Sequence, residues 1–186
     1  MLSTMVTPLA TRLLVATPRI GDPNFERTVI FMLAHGDQGA LGVVLNRPSG
    51  SDAAELVPGW GERATEPGVI FLGGPVGRDA VVGMGLGVGA DDEKFQPVLG
   101  SLGTVDLNQE PQPGDDILRV RLFAGSAGWG PGQLEAEIEE GAWWVVQALV
   151  SDVLTQWPEG LWREVLRRQP SPRCWFANHP DDVSTN

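Results

Sequence analysis

The sequence has little of several residue types on which catalytic and metal sites are often built. Its 186 residues include one cysteine, two histidines and no tyrosine. The lone cysteine, Cys174, excludes an internal disulfide framework and a multi-cysteine metal site. His35 and His179 have no carboxylates at the spacing that would complete a metal site with them. No cofactor and no metal are therefore predicted, and the cysteine usage points to a reducing compartment.

Positive charge is also scarce. The chain has 13 lysines and arginines against 24 aspartates and glutamates, which gives a net charge of −11. Lys94 is the single lysine, and the arginines are dispersed apart from Arg163, Arg167 and Arg168. Nucleic-acid binding draws its affinity from clustered Lys and Arg on phosphates, so direct nucleic-acid binding is disfavoured.

Long apolar runs are missing as well. Runs such as Ala142 to Val150 are far shorter than a membrane span. The first twenty residues lack a basic n-region, and Arg12 interrupts their apolar part, so they do not have the pattern of a signal peptide. The sequence therefore predicts a cytoplasmic protein with no membrane partner.

The segments that remain predict an α+β fold. Apolar or alternating stretches such as Thr28 to Ala34, Val69 to Leu72 and Asp116 to Phe123 are typical of strands joined by hairpin-length links. Helical spacing of apolar residues comes late, in Val150 to Trp157 and Leu161 to Leu166. We predict a mixed, mostly antiparallel sheet of about seven strands, with about three or four helices concentrated in the C-terminal third.

The predicted boundaries leave one domain with short ends. We expect a flexible N-terminus at 1–10, a domain at 11–169 and a loose C-terminal tail at 170–186. Within the domain, the stretch from Gly89 to Gln112 is predicted to be irregular, with a short strand at Gly103 to Leu107.

Four glycines, a tryptophan and a proline precede an acidic helix at 125–138, the least generic stretch of the chain. The alternating strand is predicted to end at Phe123, the glycines to form a sharp turn, and Pro131 to begin a helix. The free N–H groups of this helix start could hold an anion. A structural corner with Trp129 in the core explains the same residues and is favoured.

A second glycine-rich stretch is Gly73-Gly74-Pro75-Val76-Gly77-Arg78. Its backbone could approach an anion, with Arg78 alongside. A tight turn between two strands explains the residues more simply.

Four motifs in order resemble the YqgE/AlgH family of bacterial proteins. They span most of the chain, from about Arg12 to the final helix. The motifs are Asp22-Pro23-Asn24-Phe25 with Arg27-Thr28-Val29, then Gly39-Ala40-Leu41-Gly42-Val43-Val44-Leu45-Asn46-Arg47-Pro48, then Gly73-Gly74-Pro75-Val76, and Gly128-Trp129-Gly130-Pro131-Gly132-Gln133-Leu134-Glu135-Ala136-Glu137-Ile138.

The resemblance implies a single α/β domain of a cytoplasmic bacterial protein without an established activity, often described as a transcriptional regulator. Two positions depart from the family pattern. The histidine expected soon after Gly-Gly-Pro-Val is replaced by the Val81-Val82-Gly83 stretch, and Ser126 stands where a tyrosine is common. The chain also has no helix-turn-helix pattern, so the description as a regulator does not imply DNA contact.

The unusual residues are predicted to lie on loops at strand ends, where function tends to be located. We therefore expect a non-enzymatic binding or regulatory module that recognises a protein or a small molecule. A hydrolase that uses Asp22 or Glu137 is the alternative. The predicted binding residues are Asp22, Asn24, Arg27, Asn46, Arg47, Gly73, Gly74, Trp129, Gln133 and Glu137.

Overall fold

The structure is a computed structural model that describes residues 8–88 and 93–180. The predicted flexible N-terminus and loose tail therefore lie partly outside the described residues. Ten strands are present in the described ranges. They are β1 (Arg12–Ala16), β2 (Val29–Gly36), β3 (Gly39–Val44), β4 (Pro48–Asp52), β5 (Val69–Leu72), β6 (Val76–Gly87), β7 (Phe95–Leu99), β8 (Leu102–Val105), β9 (Ile117–Trp129) and β10 (Trp143–Gln147).

The helices are short. They are α1 (Ala53–Leu56), α2 (Gln133–Glu139), α3 (Val150–Val153) and α4 (Leu161–Arg167), with 3-10 helices at Gly61–Arg63, Pro158–Gly160 and Arg173–Asn178. The carboxylate of Asp52 caps α1 by accepting from the backbone N–H groups of Ala54 and Glu55. Within the described ranges, no helix is long and apolar enough to cross a membrane.

All ten strands belong to one mixed sheet. Eight of them follow one another in the order β10-β1-β2-β3-β9-β6-β8-β7, and β4 and β5 lie off this path. β5 pairs in parallel with β9, and β4 pairs with β5. The other pairings are antiparallel. The predicted mixed, mostly antiparallel sheet is present, but it has more strands than predicted. The strands missed by the prediction lie in the polar and glycine-rich or proline-rich stretches that form β4 and β7, where composition hides the pairing.

The stretch from 89 to 112 contains two strands rather than one. Residues 89–92 lie outside the described residues, and β7 and β8 then form a hairpin through Gly100. β8 begins at Leu102, so the predicted strand at Gly103 to Leu107 is shifted along the chain. Pro97 cannot donate a ladder hydrogen bond, and its place in β7, at the end of the sheet, avoids that loss.

β9 is the central strand, and it runs past the predicted stop at Phe123 to Trp129. Gly125 has a φ of 75°, and beyond it Ala127 and Trp129 are buried in a different apolar cluster from Phe123, whereas Gly128 is exposed. The glycines serve close backbone contact instead of a turn. A Cβ added at Gly39 on the neighbouring strand β3 would lie 2.2 Å from the Trp129 carbonyl oxygen.

The turn predicted within 125–130 falls later, and α2 follows it. Gly132 has a φ of 73° and is the N-cap residue of α2, so Pro131 lies before the helix instead of opening it. This left-handed conformation costs glycine little.

The sheet is covered on both faces. One face carries the largest apolar cluster, in which Leu13, Phe31 and Phe123 pack with Trp162 of α4. The opposite face of β1 to β3 packs against α2 through a second cluster that includes Trp129. The 3-10 helix at Arg173–Asn178, within the stretch predicted as a loose tail, contributes Ala177 to the first cluster.

Candidate functional site

A crossing of the chain over β9 creates the shape of the candidate site. β5 pairs with Phe123 and Ala124 of β9, and β6 pairs with the same two residues from the other side. The link Gly73–Pro75 between β5 and β6 must therefore pass over β9. The predicted short link between two strands is present, but β9 lies between the strands that it joins, so it does not close a hairpin.

Glycine is required at this crossing. A Cβ at Gly73 would lie 2.3 Å from the Gly125 carbonyl oxygen, and a Cβ at Gly74 would lie 2.2 Å from the carbonyl carbon and oxygen of Ser126. Gly74 has a φ of 154° and Gly125 a φ of 75°. The two glycine motifs thus meet, and backbone packs directly on backbone.

A cleft of about 200 Å³ lies beside the crossing. Three segments form it: the turn at 22–27, the end of β3 with the residues after it, and the link between β5 and β6. Its lining residues are Pro23, Asn24, Arg47, Leu72, Gly74, Pro75 and Arg78. Three of the predicted binding residues therefore line it, namely Asn24, Arg47 and Gly74.

The turn at 22–27 has a hydrogen-bonded conformation. The Asp22 carboxylate accepts from the backbone N–H and the side-chain amide of Asn24, at 2.8 and 3.0 Å. Such an Asx turn is the usual local role of aspartate in loops. Asn24 is thereby held at the edge of the cleft, while Asp22 acts as an acceptor within the turn.

Asn46 connects this turn to the sheet. It is only 6% exposed. Its side-chain oxygen accepts from the Val29 N–H at 2.9 Å, and its amide nitrogen donates to the Arg27 carbonyl at 2.8 Å. Both functional ends of the amide are used within the fold, so Asn46 positions the cleft wall instead of facing the cleft.

Two guanidinium groups line the cleft. Arg47 donates to the Glu26 carbonyl, and burial lowers its pKa from the ordinary value while the nearby Glu26 charge raises it. Arg78 is exposed, and no hydrogen bond or ion pair joins it to another described residue. Its side chain lies beside Gly125, where a Cβ would come within 3.3 Å of the Arg78 Cγ. Arg78 has donors available to a ligand.

The sheet surface around the crossing is apolar. Leu41, Leu72, Val76 and Val81 are between 37% and 55% exposed. In the strand registers each pairs with Ala124, Ser126 or Gly128 of β9. We call these four side chains the aliphatic border of the cleft. Large apolar groups grouped on a surface commonly mark an interaction site.

Trp129, Gln133 and Glu137 form a separate cluster. The Glu137 carboxylate accepts from the indole N–H groups of Trp129 and Trp143 at 2.9 and 2.8 Å, and from the Gln133 amide at 3.0 Å. Gln133 in turn accepts from the Gly130 N–H at 3.1 Å. The indole and amide donors of this corner and the N–H groups of Gly130 and Gln133 are paired within the fold, as expected of a structural corner.

The turn at 22–27 links the two groups of residues. The Phe25 ring packs against Trp129 and Trp143, with ring centroids 6.4 and 5.6 Å apart. Arg27 points elsewhere: its guanidinium donates to the carbonyls of His179 and Pro180 and lies 5.0 Å above the Trp162 ring. The predicted surface is thus divided into an open cleft and a hydrogen-bonded corner.

Arg78 and the aliphatic border were not among the predicted site residues. The sequence signal for Arg78 was its place two residues after the Gly-Gly-Pro-Val motif, in the glycine-rich stretch that could approach an anion. No sequence signal could have found the border, because its members come from β3, β5 and β6 and meet only through β9.

Comparisons with known proteins agree with the motifs. A family model described as AlgH-like matches residues 13–173. A UPF0301 protein of Streptomyces coelicolor is 48% identical over 189 residues, and the alignment covers 98% of this chain and 98% of the relative. A UPF0301 protein of Mycobacterium tuberculosis is 44% identical, with 97% of this chain and 95% of the relative covered.

Two solved structures share the fold. The crystal structure of a Corynebacterium diphtheriae protein is 34% identical, covers 92% of each chain and has a TM-score of 0.85. The solution structure of the AlgH protein from Pseudomonas aeruginosa is 32% identical, covers 86% of this chain and 87% of that one, and has a TM-score of 0.63. The chain belongs to the AlgH-like family, as the motifs predicted.

Proposed function

We propose that the protein is a non-catalytic binding module whose cleft takes an acidic side chain of a partner protein. One observation carries the proposal: Arg47 and Arg78 line the same cleft in a chain whose net charge is −11. Local positive charge on an acidic protein attracts an anion to one place and repels it elsewhere. The guanidinium of Arg78 offers a fork of donors that matches a carboxylate.

The aliphatic border favours a peptide segment over a small molecule. The cleft of about 200 Å³ is smaller than the roughly 300–1,000 Å³ that ordinary ligand pockets enclose. The four border side chains extend the apolar surface along the sheet beyond the cleft. An extended segment with one acidic and one or two aliphatic side chains would use both features.

Direct DNA contact remains disfavoured. The two cleft arginines are too few to give the phosphate contacts on which DNA affinity depends, and the net charge of the chain is −11. If the description of family members as transcriptional regulators applies to this chain, we propose that it acts through a protein partner.

The hydrolase alternative gains no support from its two carboxylates. Asp22 accepts from Asn24, and Glu137 accepts from three side-chain donors. A general base must reach a substrate proton with a free acceptor site. Both oxygens of Glu137 are used to hold the indole rings and the Gln133 amide, and Oδ1 of Asp22 is used to hold its own turn.

A displayed random peptide library tests the proposal. We expect selected peptides to combine Asp or Glu with Leu, Ile or Val. Binding to the Arg78→Gln variant should be weaker by about tenfold or more, because a charge-assisted hydrogen bond is lost. The Arg12→Gln variant removes the same charge from an exposed residue of β1 and should bind normally. Equal binding by both variants, or no selection of acidic peptides, would contradict the proposal.

A further inference from the structure

β6 carries a wide bulge beside the cleft. Val76 pairs with Ser126 of β9, and the next pair in the register joins Val81 to Ala124. Residues 77–80 therefore stand opposite a single residue of β9 and have no partners in its register. An ordinary β-bulge places only two residues opposite one. This stretch, which we call the 77–80 bulge, thus has main-chain groups that the ladder with β9 does not use.

The 77–80 bulge is exposed on both faces. Every residue from Val76 to Val81 is exposed, whereas β6 is largely buried from Gly83 onward. Consecutive side chains of a strand point to opposite faces, so six exposed residues in a row show that no other described part of the chain covers either face. An exposed strand with unused main-chain groups is a template for pairing with another chain.

Two adjacent charges lie on this bulge. Arg78 and Asp79 form no hydrogen bond or ion pair with each other or with another described residue. Arg78 lines the cleft, and Asp79 is not among its lining residues. Neighbours in a strand point to opposite faces, so Asp79 presents its carboxylate on the face away from Arg78. The bulge therefore offers a positive charge on one face and a negative charge on the other.

We propose that the partner segment adds to the 77–80 bulge as a β-strand and carries an acidic and a basic residue at adjacent positions. The added strand depends on the proposed function, in which Arg78 takes the acidic side chain. In strand addition, main-chain hydrogen bonds supply affinity and alternate side chains supply specificity. The neighbour of the acidic residue lies opposite Asp79, and a basic side chain there is attracted to the Asp79 carboxylate.

A second copy of the chain fits the bulge less well than a different protein. Two identical strands that pair side by side across a two-fold axis place residues of the same face opposite each other. Arg78 and Asp79 lie on opposite faces, so they cannot stand opposite one another in such a pair. A pair centred on either residue would bring like charges together, which is destabilising.

Two selections from one displayed random peptide library test the pairing of charges. The wild type should select peptides in which Asp or Glu stands next to Lys or Arg. Asp79→Lys should still select the acidic residue through Arg78, but the neighbour should no longer be basic. The same neighbours in both selections would overturn the added strand and leave the proposed function standing. Absence of acidic residues from both selections would instead contradict the proposed function.

Affinities give the size of the effect. A peptide selected by the wild type should bind Asp79→Lys about tenfold more weakly, because an attraction becomes a repulsion. Glu159→Lys makes the same change of charge at an exposed residue that does not line the cleft and should bind normally. Asp79 has no partner to lose, so the unfolding midpoint of Asp79→Lys should match that of the wild type. Equal affinity in the two variants would contradict the role of Asp79.

Methylation of the peptide amides tests the strand addition itself. In an added strand, every second N–H group of the peptide points to the bulge and those between point to solvent. N-methylation should therefore weaken binding by about tenfold or more at one set of positions and have little effect at the other. Recognition by side chains alone predicts no such alternation along the peptide, and that result would overturn the added strand.

Discussion

Glu137 gives the sharpest prediction about how the corner beside the cleft is held. Its carboxylate joins three donors from three elements: the indole of Trp129 at the end of β9, the Gln133 amide on α2, and the indole of Trp143 at the start of β10. Glu137→Ala removes all three acceptor contacts at once. It leaves two indole N–H groups without a partner.

The magnitude follows from burial. Trp129 is 7% exposed and Trp143 3%, so water reaches their N–H groups poorly. A buried donor left unpaired costs about 1–3 kcal/mol, and water entering from the exposed side of the corner reduces that cost. We expect Glu137→Ala to lower the free energy of unfolding by about 3 kcal/mol, a large share of the roughly 5–15 kcal/mol of an ordinary domain.

Urea unfolding measures the loss. With an m-value of about 2 kcal/mol/M, the midpoint should fall by about 1.5 M. Glu139→Ala is the matched control, because Glu139 is exposed on the same helix. In a Trp143→Phe background the cost of Glu137→Ala should shrink by about 1 kcal/mol or more, since one donor is already gone. A loss no larger than that of Glu139→Ala would refute the assignment and reopen a catalytic role for Glu137.

Three further predictions concern the crossing, the cleft wall and a surface carboxylate. Gly74→Ala should lower the free energy of unfolding in urea by more than about 3 kcal/mol, because its Cβ would overlap the β9 backbone. Gly50→Ala has open space around it and should cost little, so similar values for the two variants would contradict the crossing. Asn46→Ala should cost about 2–4 kcal/mol, because it leaves a backbone donor and a backbone acceptor unpaired; a cost near zero would show that water replaces the amide. A backbone N–H donor and then Lys94 lower the pKa of Asp115 in the folded protein below the value of 3.8 that it has in the unfolded chain. The stability that the Asp115 carboxylate contributes is therefore present above pH 3.8 and is lost as the pH falls through the lower folded pKa. The difference in Tm between wild type and Asp115→Asn should therefore be present at neutral pH and vanish in acid, and a pH-independent difference would refute it.

Sequence patterns predicted most of the strands and the family correctly. They did not predict where β9 ends. Alternation in 116–123 indicated a strand correctly. The glycines after it indicated a turn, because glycine is the usual turn residue. In the fold they allow β9 to continue while β3 and the Gly73–Pro75 link pass within contact distance. A glycine needed for close contact cannot be told from one needed for a turn without knowing which strands meet.

The same limit applies to the side chains. The spacing of Gln133 and Glu137 on one helix face was visible in the sequence, but their partner Trp143 comes from another strand. Arg119 and Arg121 are two residues apart in the alternating stretch 116–123. They do share a side, yet Arg121 is buried because Phe71 and the residues after α3 cover it. Tertiary packing, which no local pattern contains, decides both cases.

We propose that Arg78 and the aliphatic border bind an acidic peptide segment. Chemical-shift mapping with a selected peptide tests it most directly, using isotope-labelled protein and the Arg78→Gln variant. We predict that the perturbed amides cluster at Leu41, Leu72, Gly74, Val76 and Arg78, and that the changes are lost in the variant. Perturbations centred elsewhere, or unchanged in Arg78→Gln, would contradict the account.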